Sequence, residues 1–243
     1  MTVIITDYLI YILNQKQEEA YRMKGKQHKP ISSFFCSDSL GLAYLRIHKS
    51  GCTTVEYWMA RNHPAYQREQ SFAIHSRGAN KTYFDKVTAK EQACEDYLRF
   101  TFVRHPLRRL ESCYRDKIAP GTTRIPHIFK NLEKYGIEHG MPYREVVHNL
   151  LKVKNPAELN PHIAPQWYFL FRNNRLRVDL ICRLEQFQLY MDKLRQMTHS
   201  SIDPNIRNST SKKSEPLTLT DREKRSLACF FRPECEFLGY RIE

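Results

Sequence analysis

Short apolar runs alternate with stretches of helical periodicity along this chain, and their order is its clearest signal. Residues 41–47 form an apolar run of strand length, which predicts a buried strand when turn residues bound it. A polar loop over 48–54 follows, and residues 54–62 read as a helix. The same order returns downstream. Residues 97–103 are rich in aromatic and β-branched side chains, the composition of a strand. Arg104, His105 and Pro106 break that run. Residues 107–117 then predict a helix, with Pro106 near its first turn, where a missing N–H costs little. A third apolar run, 178–183, leads into a helix over 185–197.

The remaining segments fill in around these units. Residues 7–24 carry Leu9, Ile10, Ile12, Leu13 and Tyr21 at amphipathic spacing, which predicts an N-terminal helix, and 25–30 read as a linker. Thr88 and Glu91 have the spacing of a capping box opening a short helix to about Cys94. Thr220 and Glu223 repeat that spacing before a final helix toward Phe231. Residues 121–154 read as helices with loops, and the Ser-, Asn- and Lys-rich stretch 200–216 as a loop. Strands alternating with helices predict an α/β fold, its central, mostly parallel sheet flanked by helices on both faces. With 243 residues, 41% of them hydrophobic, the chain suffices for a single domain spanning 1–243.

Charge narrows the partners. Lys and Arg outnumber Asp and Glu by 39 to 26, a formal charge of +13, which favours a nucleotide, a nucleic acid, an acidic glycan or an anionic membrane. The seven cysteines are scattered and form no CxxC pair, so neither a zinc site nor a disulfide framework is expected. A single bridge such as Cys229 to Cys235 stays open. The apolar run 3–13 carries Asp7 and is too short to span a bilayer, which takes roughly 20 residues. It also lacks a basic start and a small-residue cleavage site. If Met1 is the natural start, a cytoplasmic protein with no membrane span is expected. A chain trimmed of an anchor, and so from the Golgi lumen, would look the same.

In an open α/β sheet, ligands bind beyond the carboxyl ends of the strands. Two polar segments follow predicted strands here. His48, Lys49, Ser50, Gly51, Cys52, Thr53 and Thr54 offer a lysine, a flexible glycine, hydroxyls and successive amides ahead of a helix N-terminus, a combination suited to phosphate or sulfate. The spacing is not GxxxxGK[ST], and no strand-end carboxylate stands ready for Mg²⁺. A donor that needs no metal therefore fits better than ATP. In the second segment Arg104 brings a planar fork for phosphate, and Ser112, about two helical turns on, adds a hydroxyl. Taken singly, the first segment also reads as a solvated loop and the second as a basic helix face.

Together, residues 45–54 and 102–117 resemble the sulfotransferases, most closely the Golgi carbohydrate sulfotransferases and their soluble bacterial relatives. The first segment looks like that family's 5′-phosphosulfate loop and the second like its 3′-phosphate motif. Residues 161–166, 181–185, 208–210 and 237–240 are similar to later family segments, so the resemblance spans roughly Leu42 to Tyr240. His48 stands where proline is common, and His105 replaces a usual acidic residue. The Golgi relatives also carry an N-terminal membrane anchor.

The resemblance implies a P-loop-like three-layer sandwich and a sulfotransferase that uses 3′-phosphoadenosine 5′-phosphosulfate (PAPS) without a metal. An acceptor hydroxyl, on a carbohydrate that is already acidic or neutral, would attack sulfur in line and release adenosine 3′,5′-bisphosphate. Lys49 is the expected catalytic cation. Ser50, Gly51, Cys52, Thr53 and Thr54 are expected at the 5′-phosphosulfate, Arg104 and Ser112 at the 3′-phosphate, and Asn208 and Ser209 at the nucleotide. His75 lies where some relatives place their base, with His162, His48 and Glu56 as alternatives. Residues 121–160 are expected as an acceptor-shaping insertion. A peptide tyrosine or small-molecule hydroxyl is the alternative acceptor. From other classes, a P-loop kinase would need a Mg²⁺ ligand and a standard phosphate loop, and a basic nucleic-acid-binding protein would need a recognisable binding motif; the sequence shows none of these.

Overall fold

The protein, seen in a computed structural model, is described over residues 32–67, 74–173, 175–205 and 217–241. In chain order its strands are β1 (Phe34–Ser37), β2 (Leu42–Leu45), β3 (Lys86–Thr88), β4 (Leu98–Val103), β5 (Phe171–Arg172), β6 (Arg175–Leu176) and β7 (Leu180–Arg183). The principal helices are α1 (Cys52–Arg61), α2 (Arg77–Tyr83), α3 (Pro106–Cys113), α4 (Pro126–Leu132), α5 (Tyr143–Leu150), α6 (Phe187–Met197) and α7 (Asp221–Leu238). The described residues gather into two compact units. One takes in residues up to Val103 together with the stretch from Phe169, and the other takes in Arg104–Tyr168 with the C-terminal helix. The predicted helix over 7–24, the linker 25–30 and the nucleotide loop with Asn208 and Ser209 lie outside the described residues.

The first unit is built on a five-stranded sheet of order β3-β1-β2-β4-β7. Every residue of β2 is buried, as are Phe100 to Val103 of β4. Burial on both faces is why these segments read as continuous apolar runs. On one face Leu42, Tyr44, Phe100 and Phe102 pack with Val55, Trp58 and Met59 of α1, Ala79 and Tyr83 of α2, and Met191 and Leu194 of α6.

The sheet is mixed rather than mostly parallel. β2–β4 and β4–β7 are parallel, with Tyr44 opposite Phe100 and Val103 opposite Arg183. β1 pairs antiparallel with both β2 and β3. The reversal comes from the tight turn after Ser37, where Leu40 N–H bonds Ser37 C=O and Gly41 takes φ +63°. A short turn joins antiparallel neighbours, whereas parallel ones need a crossover.

The second unit is helical. Leu110 and Cys113 of α3, Ile128, Phe129 and Leu132 of α4, Val146, Val147 and Leu150 of α5, and Phe231 and Leu238 of α7 are buried in it. Residues 121–160 thus supply α4, α5 and much of its buried apolar surface.

Three local expectations need amendment. The helix from Pro106 closes as a π-helical turn, Tyr114–Ile118. Thr88 belongs to β3, and its hydroxyl accepts the Lys90 N–H at 3.1 Å, so the Glu91–Cys94 turn begins at Lys90 without a capping box. The final helix does have its Thr220–Glu223 box, but it runs past Phe231 through Pro233 to Leu238, where Gly239 takes φ +65°. Pro233 is exposed, as is Cys229 one turn before it, so the carbonyl released by the missing N–H can meet water. All seven cysteines are free thiols, including Cys229 and Cys235 on this helix. Among the described residues, no helix is long and apolar enough to cross a membrane.

Candidate active site

β2, β4 and β7 run parallel, so the chain leaves all three at one edge of the sheet. After β2 it turns tightly. Ser50 N–H bonds Ile47 C=O at 3.4 Å, and Lys49 and Gly51 take φ of +66° and +81°. Gly51 caps α1, and the first intrahelical bond runs from Val55 N–H to Gly51 C=O. By helix geometry the amides of Cys52 and Thr53 then lie at the positive end of the helix. Only glycine suits position 51. Besides its left-handed φ, an added Cβ would sit 2.7 Å from Leu184 Cδ1.

The loop divides its predicted binding residues in two. Ser50, Cys52 and Thr54 are buried, whereas His48, Lys49, Gly51 and Thr53 are partly exposed. A ligand would meet main chain, Lys49 and Thr53, with the buried side chains shaping the turn.

Thr53 leads to a chain of polar groups. Its Oγ1 lies 3.0 Å from His75 Nε2, and His75 Nδ1 lies 3.1 Å from Glu56 Oε2. Glu56 is 0% exposed and takes two bonds from Arg46, Nε to Oε1 at 2.6 Å and an Nη to Oε2 at 2.5 Å. Paired forks of this kind hold both geometry and charge. Burial pulls the His75 pKa down, but hydrogen bonds to Cys52 and Glu56 outweigh it and raise the value to about 9. At neutral pH the imidazole therefore carries its second proton, with Nδ1–H on Glu56 and Nε2–H on Thr53. Its side chain remains 44% exposed.

From sequence, Arg46 lies in the loop-like segment 45–54 with no role of its own, and Glu56 is only an alternative base. A signal was present. Glu56 stands among Cys52, Val55 and Met59 on the buried side of α1, and a carboxylate at a position that calls for an apolar residue implies a buried cationic partner.

Arg104 and Ser112 belong to the second unit. Arg104 is partly buried, and its main-chain N–H and C=O are both bonded by the Gln166 side chain, at 2.9 and 2.7 Å. Ser112 is buried on α3. Arg109, on the same helix, donates to the carbonyls of Ala164 and Pro161 at 2.8 and 2.7 Å. His162, an alternative base, has Nδ1 2.7 Å from Asn160 Oδ1 and donates its N–H to the same oxygen, as expected of a turn-stabilising residue.

The sequence profile of the sulfotransferase family matches residues 32–232. No curated protein and no solved structure matches the chain.

Proposed function

The chain belongs to the sulfotransferase family, and from that premise we propose that it carries the sulfuryl group of PAPS to a carbohydrate hydroxyl. One observation supports this reading above the rest. The first turn of α1, directly after the loop of Lys49 and Gly51, is hydrogen-bonded to a partly exposed histidine that a buried carboxylate holds from behind. This sets an imidazole, a proton acceptor once its Nε2 is deprotonated, one hydrogen bond from a phosphosulfate-type loop, which we read as P-loop-like.

In this reading the neutral form of His75, with Nε2 unprotonated, takes the proton of the acceptor hydroxyl. The new O–S bond forms as the S–O bond to the departing phosphate breaks. The electron pair of that bond stays on the phosphate oxygen, where Lys49 and the first amides of α1 meet the developing charge. Glu56 fixes the ring and stabilises the imidazolium that results, and Arg46 holds Glu56 from its other side. Ser50, Cys52 and Thr54 keep the loop in shape around the 5′-phosphosulfate, with Thr53 beside them. Arg104 and Ser112 are assigned the 3′-phosphate, and Asn208 and Ser209 the nucleotide, on the strength of the motif resemblance. The net charge of +13 suits an acidic glycan.

The test is transfer of labelled sulfate from PAPS onto a panel of neutral and acidic glycans, tyrosine peptides and phenols. Label on a glycan is the expected result. Label confined to peptides or phenols would replace the acceptor and leave the donor. No transfer to any of them, with Mg²⁺-dependent ATP hydrolysis instead, would remove the whole reading.

A further inference from the structure

Arg104 occupies an awkward place in the backbone. β4 ends at Val103, whose partner in the sheet is Arg183, and the next helix begins with His105 as its cap and Pro106 behind it. Residue 104 therefore sits between a ladder and a helix. In most proteins such a residue satisfies its N–H and C=O with water or a neighbouring turn.

Here one side chain satisfies both. Gln166 Oε1 accepts the Arg104 N–H at 2.9 Å, and Gln166 Nε2 donates to the Arg104 C=O at 2.7 Å. Nε2 also donates to Glu234 Oε1. The amide can therefore sit only one way round, since the flipped orientation would set N–H against N–H and oxygen against two carbonyl-type acceptors. Gln166 and Glu234 are both buried. Arg109, also buried, holds the approach to Gln166 through the carbonyls of Pro161 and Ala164. One buried polar side chain thus grips the main chain of Arg104 at both N–H and C=O, with a second, Glu234, bonded behind it. Burying that much polarity is costly, and apolar packing would stabilise a strand end more simply.

Two bonds from one rigid amide fix the direction of the Cα–Cβ bond of Arg104 as well as its position. A guanidinium reads an anion through a planar fork, and its discrimination depends on that direction. We propose that Gln166, backed by Glu234, is the positioning residue that aims Arg104, and that this clasp sets the preference for a nucleotide phosphorylated at the 3′ position. The inference rests on the assignment of Arg104 to the 3′-phosphate made above.

The experiment compares affinities for adenosine 3′,5′-bisphosphate and adenosine 5′-monophosphate by calorimetry. The proteins are the natural chain, Arg104→Ala, Gln166→Leu, Gln166→Asn, Glu234→Gln and the Arg104→Ala/Gln166→Leu pair. The ratio of the two affinities reports the 3′ contact alone, because a general loss of structure lowers both. The natural chain should prefer the bisphosphate, and Arg104→Ala should lose that preference. Gln166→Leu and Gln166→Asn should lower the ratio by tenfold or more while 5′-monophosphate binding stays within about twofold. The double variant should be no worse than Arg104→Ala, the mark of residues acting as a unit. Glu234→Gln, which keeps an acceptor for Gln166, should retain the ratio.

If the natural chain shows no preference, or Arg104→Ala keeps it, the assignment of Arg104 fails and the clasp proposal falls with it. If Arg104→Ala loses the preference while both Gln166 variants keep it, the clasp proposal alone fails. Should neither Gln166 variant fold, the clasp serves the fold rather than the aim of Arg104, and the proposal is likewise overturned.

Discussion

His75 Nδ1 lies 3.1 Å from Glu56 Oε2, and the carboxylate it meets is fully buried while the imidazole is partly open to solvent. The pair joins an inside charge to an outside ring. Arg46 pairs with Glu56 from the other side, which offsets the desolvation cost of burying a carboxylate there. The imidazolium is thereby stabilised, and the histidine pKa rises to about 9.

A base must be unprotonated to act. Sulfuryl transfer should therefore climb from neutral pH and level off above about 9, the value to which His75 is raised. His75→Ala should abolish turnover and leave adenosine 3′,5′-bisphosphate binding intact. A rate that falls between pH 7 and 9 would mean that the protonated ring does the work, as a cation and not a base.

Stability carries the same signature with the opposite trend. A histidine raised above its unfolded value of 6.5 stabilises the native state fully below that pH. The contribution is lost as pH rises through about 9. Urea titrations across this window should show declining stability, and His75→Ala should flatten the decline. Equal slopes in the two proteins would contradict the pairing.

Glu56→Gln removes the buried charge and leaves Arg46 without its anion. We expect a loss of about 3–5 kcal/mol, the range for breaking a buried pair from one side, read as a lower denaturation midpoint. In whatever fraction folds, the rise in rate should move to lower pH, because the imidazolium has lost its partner. An unmoved pH profile would show that Glu56 does not tune His75.

Gly51→Ala meets two obstacles, a φ of +81° and a Cβ placed 2.7 Å from Leu184 Cδ1. A left-handed alanine costs about 1–2 kcal/mol, and relieving the contact must displace either the loop or Leu184. Nucleotide affinity should fall tenfold or more, while Gly121→Ala, which shares the left-handed strain at φ +79° but whose added Cβ meets nothing within 4 Å, should leave it unchanged. Equal affinities in both variants would separate the turn from binding.

Thiol chemistry tests the packing. Cys229 is exposed and the other six cysteines are buried. Burial, together with the neighbouring Cys94 thiol at 3.5 Å, pushes Cys36 up to about 12, and burial brings Cys235 to about 12. In the folded protein a thiol-specific reagent should label Cys229 rapidly, with the rest reacting only after denaturation. Rapid native labelling of Cys36 would contradict the position of β1 in the sheet.

The parts legible from sequence are those whose pattern is local. β2 and β4 stand out because central strands are apolar on both faces. Their following loops could be placed because Gly51 and Pro106 punctuate the chain. β1 and β3 were missed. Phe34–Ser37 is short, and Lys86–Thr88 is an exposed edge strand, so neither carries a periodicity of its own. Their antiparallel pairing decided that the sheet is mixed.

By itself, then, the order of residues determined the chemistry on offer: a lysine–glycine loop ahead of a helix, an arginine after a strand, and the family to which both belong. Only tertiary structure decided which groups meet. Arg46, Glu56 and His75 are separated by 10 and 19 residues along the chain, and Gln166 stands 62 residues from the arginine it clasps. No window of neighbours contains such pairs. The protonation of His75 and the aim of Arg104 depend on distance and burial in space, and these arise only when distant segments pack.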